Sequence, residues 1–241
     1  MEKLQQQYEK YTSEDQLVWT TLFERQVNNL NDKVCRNYLS CLDAIGLNAY
    51  RIPDFKELNA KLYSSTGWQI EVVKGIVPEE EFFALLNQKK FPSSTWLRNK
   101  HQLDYLEEPD MFHDVFGHIP LLMDKKYANF FSSIATLAMR NITNKEIIEQ
   151  LGRLYWFTIE FGLIMEGERP KIYGAGLISS FGESLHVFSD KVSHYLFDFN
   201  EIINKPFNNS VKQNEYFILK DWEELYTCLE GIEEKNSIAT A

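Results

Sequence analysis

Cysteine is scarce in this chain. Only Cys35, Cys41 and Cys228 occur among 241 residues, an odd and widely spaced set without a CxxC pair. That argues against a disulfide framework and against a cysteine-ligated zinc site, and predicts reduced thiols in a cytoplasmic protein. Long hydrophobic runs are missing too: no stretch approaches the roughly 20 apolar residues of a membrane helix. The first residues, Met1 to Lys10, are polar and Gln-rich, without the apolar core of a secretion signal. Positive charge is in deficit, with 25 Lys and Arg against 35 Asp and Glu and a formal net charge of -10. That average field repels polyanions, and the densest basic run is only Lys89-Lys90. Neither nucleic acid nor membrane is an expected partner.

Aromatic residues, by contrast, are plentiful: 17 Phe, 12 Tyr and 5 Trp make 14% of the chain. Most must fill a core, and the surplus suits a pocket for flat apolar rings.

No internal repeat or low-complexity linker divides the sequence. One domain over residues 1–241 is expected, mostly α with a minor β component, with loose ends at about 1–10 and 230–241. Ser13-x-x-Gln16 has the form of a capping box and opens an amphipathic stretch through Leu17, Trp19, Leu22, Phe23 and Val27, predicting a helix over 14–30. A second helix is expected over 31–45, stopping at Gly46, and a third from Arg51 to Leu62. Trp68, Ile70, Val72 and Val73 form a β-prone run that ends at Gly75. Glu79 to Gln88 reads as helix, Phe91 to Tyr105 as strand and loop, and Pro109 marks the start of another helix. Thr143-x-x-Glu146 opens a long helix expected to reach about Met165. Lys171 to Gly176 reads as extended, Ser180-x-x-Glu183 caps a further helix, and Tyr216-Phe217-Ile218 precedes a helix at Trp222.

Two of the five His lie close together in Glu108-Pro109-Asp110-Met111-Phe112-His113-Asp114-Val115-Phe116-Gly117-His118. Imidazole is the commonest protein metal ligand. Two His and one carboxylate on one face of an octahedron are the ligand set of non-haem Fe(II) oxygenases. The i, i+5 spacing leaves the two rings roughly 140° apart on a regular helix. Either the helix widens into a π-type turn or one His sits just past its end, which Gly117 makes plausible. The spacing departs from the HExxH of zinc proteases. Taken alone, the pair is better read as ordinary part-buried histidines bonded to carboxylates, with no metal. A carboxylate candidate is Glu160, inside the apolar run from Leu154 to Leu163, where a lone buried charge is costly unless paired or coordinated. Gly152, Trp156 and Glu160 fall at i, i+4 and i+8, a stripe that would aim Glu160 into a pocket.

These residues resemble the catalytic domain of the pterin-dependent aromatic amino acid hydroxylases, most closely its bacterial members, from about Tyr11 to about Glu224. The strongest blocks run from Tyr105 to Pro120, from Tyr155 to Leu163 and from Tyr173 to Glu183. The resemblance implies Fe(II) held by His113, His118 and Glu160, a tetrahydropterin (tetrahydrobiopterin or a bacterial analogue) and O2 as co-substrate. It implies that Arg98 holds the substrate α-carboxylate, a task that suits its planar fork. Gly176 and Ser179 would sit nearby and Trp156 would line the ring pocket. For the pterin, Phe82 would stack on the bicyclic ring, and Gly75 and Val77 would offer backbone hydrogen bonds. Asp114, Gly152 and Tyr155 match further positions around cofactor and iron. Pro78 and Glu79 replace small polar residues usual in animal enzymes, and Asp114 replaces a longer Glu.

The implied reaction is hydroxylation of an aromatic amino acid. L-Phenylalanine is the expected substrate, and tryptophan or tyrosine the alternatives. Outside the family, the same ligands would suit a zinc hydrolase, and the pocket a non-catalytic small-molecule sensor. Animal relatives carry an N-terminal regulatory module and a long C-terminal tetramerisation helix, for which this length leaves no room. A monomeric catalytic domain without allosteric activation is therefore the expectation.

Overall fold

Helix α1, Ser13–Leu30, opens on a capping box set one residue earlier than the sequence pattern predicts. Thr12 Oγ1 accepts from the Asp15 amide at 3.2 Å, and Asp15 Oδ2 accepts from the Thr12 amide at 2.7 Å. A shorter acid thus does the work expected of Gln16. The computed structural model describes residues 4–229 except 105, 107 and 210. Tyr105 and Glu107 of the first sequence block, and the 230–241 end, lie outside the described residues. The segment before α1, expected to be loose, is tied down from Gln6 onward. Gln6 donates to the Pro53 carbonyl and accepts from the Phe55 amide, and Tyr8 donates to the Ile52 carbonyl.

Helix α2 is Arg36–Ile45, shorter than the expected 31–45. The missing turn is taken by the β-type bridge of Val34 to Ile172, flanked by hydrogen bonds of 2.9 and 2.8 Å. Asp32 adopts φ 62 to make the bend. Helix α3 is Phe55–Thr66, capped by Asp54, so it starts and ends about four residues later than expected. Both helices stop at left-handed glycines, Gly46 and Gly67, the usual place for a residue free of a Cβ penalty. Strand β1 (Gln69–Val72), helix α4 (Glu79–Asn87) and strand β2 (Lys90–Ser93) then form one parallel crossover.

A π turn at His113–His118 follows, then α5, Lys125–Arg140, a helix the sequence pattern did not single out. Helix α6, Lys145–Tyr155, is capped by Asn144 rather than Thr143 and runs into a second π turn, Trp156–Glu160. There it ends, short of the expected Met165. A Cβ on Gly162 would lie within 2.3 Å of the Tyr173 hydroxyl and the Thr158 carbonyl, so only glycine lets the chain turn away here. It continues as β3 (Leu163–Glu166), which pairs with β4 (Arg169–Ile172) across Gly167. The stretch expected to be extended from Lys171 to Gly176 is so through Gly174, and Ala175–Ser179 then forms α7. Ser180 caps α8, Phe181–His186, as its sequence pattern predicts. Strand β5 (Ser193–Leu196), helix α9 (Phe199–Asn204), strand β6 (Glu215–Leu219) and helix α10 (Trp222–Thr227) complete the order. The larger sheet runs β4-β3-β6-β5, antiparallel only at β3–β4. The fold is mostly helical with this minor β part, and no described helix is long and apolar enough to cross a membrane.

Candidate active site

The core behind the first π turn is aromatic. Phe112 and Phe116 stack at 4.8 Å, Trp19 meets Phe112 edge-on, and Phe23 and Tyr38 meet Phe116 the same way. The last three contacts hold the apolar side of the turn against α1 and α2, leaving the imidazoles to face the other way. A π turn closes i to i+5, so His113 and His118 share a face despite a spacing that separates them on a regular helix. Of the two options the spacing left open, the wider turn is the one adopted. Gly117 serves a different purpose: a Cβ there would sit 2.9 Å from the Ala175 carbonyl, so its absence lets α7 pack against the turn. Backbone groups loosened by the irregular winding find outside partners. The Phe116 carbonyl accepts from Tyr38 at 2.8 Å, and the His113 amide donates to Asp110 at 3.1 Å.

Ser179 fixes the tautomer of His113. Its hydroxyl donates to the Ala175 carbonyl at 2.9 Å, so it accepts from His113 Nδ1 at 2.8 Å. Nε2 of His113 is then the free lone pair, directed toward His118 Nε2 at 3.4 Å. Burial lowers the His113 imidazole to about 4, so it is neutral at pH 7, the form a metal needs. His118 is nearly fully buried and packs on the Phe91 ring at 4.7 Å.

Glu160 completes the cluster from the second π turn. Its Oε1 lies 3.1 Å from His118 Nε2, and its Oε2 lies 3.9 Å from His113 Nε2. Burial pushes its carboxyl up, but the facing imidazoles and the Tyr155 hydroxyl outweigh burial and hold it down at about 2. The i→i+5 winding, seen in the Phe161 amide bonding to the Trp156 carbonyl at 3.0 Å, changes which residue shares Glu160's face. Tyr155, not Trp156, lines the same cavity as the carboxylate. Gly176 makes room beside it, since a Cβ would lie 3.2 Å from Oε2 and 3.1 Å from the Glu160 carbonyl.

The three donor atoms lie within 4.8 Å of one another, with two imidazole nitrogens and one carboxylate oxygen converging from one buried and two half-buried side chains. That donor set fits a divalent iron held on one face with other positions open. Beside it lies a cavity of about 180 Å³. Its lining includes Gly75, Val77 and Phe82 together with Asp114, Tyr155 and the two imidazoles. Phe82 stands edge-on to Tyr155 at 5.5 Å. A Cβ on Gly75 would meet nothing within 4 Å, so the space over this backbone is open, and a mostly apolar lining with a few polar groups suits a flat heterocycle. Asp114 accepts from the Ser94 amide at 2.9 Å, and burial raises its carboxyl to about 7. Five of the six residues expected around the pterin thus line one cavity. The sixth, Gly152, lies outside it, with Glu79 3.6 Å from where its Cβ would be.

On the substrate side, Arg98 is buried and its guanidinium forks onto Asp110 at 2.9 and 2.8 Å. Trp156 is sandwiched between Phe161 and Phe207, with ring centres 4.6 and 4.4 Å away, and donates to Gln213 at 2.6 Å. It borders the site through Phe161, whose ring edge reaches Gly176, rather than lining the cavity. Asp110 is the residue that sequence reasoning passed over. It reads as a first-turn helix acid, yet it is fully buried and holds both Arg98 and the His113 amide. The one available signal was its place between two candidate site residues.

Comparison with known proteins agrees with this geometry. The family model described as biopterin-dependent aromatic amino acid hydroxylase matches residues 5–235. The chain belongs to that family. Phenylalanine-4-hydroxylase of Chromobacterium violaceum is 38% identical over 224 residues, covering 92% of this chain and 75% of the relative. The Pseudomonas aeruginosa phenylalanine-4-hydroxylase is 38% identical over 216 residues, 90% of this chain and 82% of that one. Among solved structures, the C. violaceum enzyme with bound iron(III) and oxidised 7,8-dihydrobiopterin superposes with a TM-score of 0.90 at 36% identity. It covers 98% of this chain and 87% of its own. The same enzyme with iron and phenylalanine gives 0.88 at 36% identity, over 94% and 82% of the two chains.

Proposed function

We propose that this chain is a pterin- and iron-dependent phenylalanine 4-monooxygenase, converting L-phenylalanine and O2 to L-tyrosine. The observation that carries the reading is the convergence of His113 Nε2, His118 Nε2 and the Glu160 carboxylate beside the cavity bounded by Gly75, Val77 and Phe82. Membership of the hydroxylase family and the iron- and dihydrobiopterin-bound relatives support it. Iron bound there supplies a redox-active Lewis acid with open positions for oxygen, and tetrahydropterin supplies electrons.

The chain's own residues do the arranging. His113, His118 and the Glu160 carboxylate hold the metal; Ser179 keeps His113 in the tautomer that presents Nε2. Phe82 and the Gly75–Val77 backbone hold the flat cofactor, with Tyr155 and Asp114 lining the same cavity and Gly152 one turn behind Tyr155. Arg98 retains one uncommitted N–H on each terminal nitrogen after its bonds to Asp110 and Leu103, a fork for the substrate carboxylate. Gly176 leaves space at Glu160, and Trp156 backs the ring through Phe161. The free thiols, two of them buried, and the charge of -10 favour a cytoplasmic enzyme without nucleic-acid partners; a monomeric single catalytic domain completes the proposal.

Incubation with phenylalanine, tyrosine or tryptophan, each with Fe(II) and with or without tetrahydropterin, tests the reading. Tyrosine from phenylalanine, strictly pterin-dependent, is expected. Hydroxylated tryptophan or tyrosine as main product would move the assignment to another substrate. Stoichiometric zinc with no pterin-dependent oxygen uptake would overturn it.

A further inference from the structure

The Arg98 guanidinium shares a hydrogen-bond acceptor with a second arginine from another part of the chain. A guanidinium has five N–H groups. In Arg98, Nε and Nη2 go to Asp110, and Nη1 donates to the Leu103 carbonyl at 3.4 Å. That carbonyl is shared: Arg25, on α1, donates to it from Nη2 at 2.6 Å, while its Nη1 meets Asp104 at 2.5 Å. A carbonyl oxygen has two lone pairs, and here each serves one arginine. The Arg25 guanidinium also lies over the Phe181 ring, 4.8 Å from its centre, at the start of α8 and two residues beyond Ser179. Arg25 therefore bolts together α1, the Leu103–Asp104 turn and the helix that follows Ser179. It is absent from the lining of the cavity beside the donors.

We propose that Arg25 is a positioning residue for amino-acid recognition: by clamping Leu103 and Asp104 it fixes the plane in which Arg98 presents its two free N–H groups. The proposal rests on Arg98 being the carboxylate anchor. Asp110 alone fixes one edge of the Arg98 guanidinium. The Leu103 carbonyl fixes the adjoining corner, and the polar grip on that carbonyl from outside the turn comes from Arg25. Without Arg25 the turn is free to shift and the outward fork loses its aim. An interaction made equally in ground state and transition state changes KM and leaves kcat. Only ligands with a carboxylate should register the loss.

The test compares Arg25→Gln, Arg25→Lys and Arg98→Lys in the iron-loaded enzyme. Measured are KM and kcat for L-phenylalanine, iron content, and calorimetric affinities for 3-phenylpropanoate (carboxylate, no amine) and 2-phenylethylamine (amine, no carboxylate). Arg25→Gln is expected to raise KM about two- to tenfold, the effect of roughly one hydrogen bond. It should weaken 3-phenylpropanoate by a similar factor and leave 2-phenylethylamine, kcat and iron content within about twofold. Arg25→Lys should recover only part, because an ammonium lacks the parallel donors needed to hold a carbonyl and a carboxylate together. Equal weakening of both ligands, or unchanged 3-phenylpropanoate affinity, overturns the proposal. If Arg98→Lys weakens 3-phenylpropanoate while Arg25→Gln does not, the clamp fails and the anchor stands. If Arg98→Lys has no effect either, the anchor assignment fails with it.

Discussion

The two ligand-bearing π turns are built by different means. His113–His118 is braced from outside: Tyr38 on α2 holds its Phe116 carbonyl, Asp110 holds its first amide, and Ser179 on α7 orients its first imidazole. Trp156–Glu160 is braced mostly from within. Thr158 donates to the Leu154 carbonyl at 2.5 Å, and the Gly162 amide returns to the Thr158 carbonyl at 2.8 Å. Outside help there is steric, the close approach of Gly174 and Gly176 to the Glu160 backbone. One turn is oriented by long-range polar bonds, and the other by local winding and tight packing. The first supplies imidazole ligands, one with its tautomer set by Ser179, and the second supplies the carboxylate.

Breaking each turn at its own support should therefore give graded losses. The largest belongs to Glu160→Ala, which removes the charge. Iron occupancy and tyrosine formation should both fall by more than about 100-fold, beyond the range typical of losing an outer-shell partner. Full iron with full activity in that variant would sink the ligand assignment. Next comes Ser179→Ala, which leaves all three ligands but frees the His113 ring. Iron affinity should drop about 10- to 100-fold, read by competition with a chelator; an unchanged affinity would mean that packing alone orients His113.

Tyr38→Phe touches neither ligand nor cavity and leaves the buried Phe116 carbonyl without its partner. Unfolding free energy in urea should decrease by about 1–3 kcal/mol, with a smaller effect on turnover than Ser179→Ala. No loss of stability would show that the first turn does not need its brace. The same scaffold should weaken in alkali. Burial pushes the Cys35 thiol up to about 12 and the Cys41 thiol up to about 11. Each stays protonated in the folded chain after the unfolded chain has ionised. Their stabilising contribution is whole below the ordinary value of 9.0 and is lost as pH rises from there through the folded values. Urea midpoints at pH 8 and pH 10 should show the decline, and equal midpoints would contradict it.

The same contrast explains what was legible in the sequence. His113, His118 and their neighbours sit in one contiguous block, so resemblance and ligand chemistry both reached them. The winding between them did not follow from periodicity, because a π turn leaves no signature in an apolar pattern tuned to 3.6 residues. The same blind spot carried α6 too far and put Trp156 on Glu160's face where Tyr155 belongs. Strand β3 was lost in that overrun, since Leu163-Ile164-Met165 suits a helix as readily as a strand. Capping chemistry located helix starts to within a residue or two, as at Thr12, Asn144 and Ser180. Asp110 and Arg25 were invisible for another reason: their roles depend on partners 12 and 78 residues away, and no local pattern encodes such a contact.

The account joins one metal face to one pterin cavity, and a single measurement addresses that join. Fe(II)-loaded protein is mixed with L-phenylalanine and O2, with and without tetrahydrobiopterin, and tyrosine is quantified beside oxidised pterin. The expected result is tyrosine only with pterin, in a ratio near one per pterin oxidised, and none when Zn(II) replaces Fe(II). Tyrosine formed without pterin, or equally well with zinc, would contradict the account.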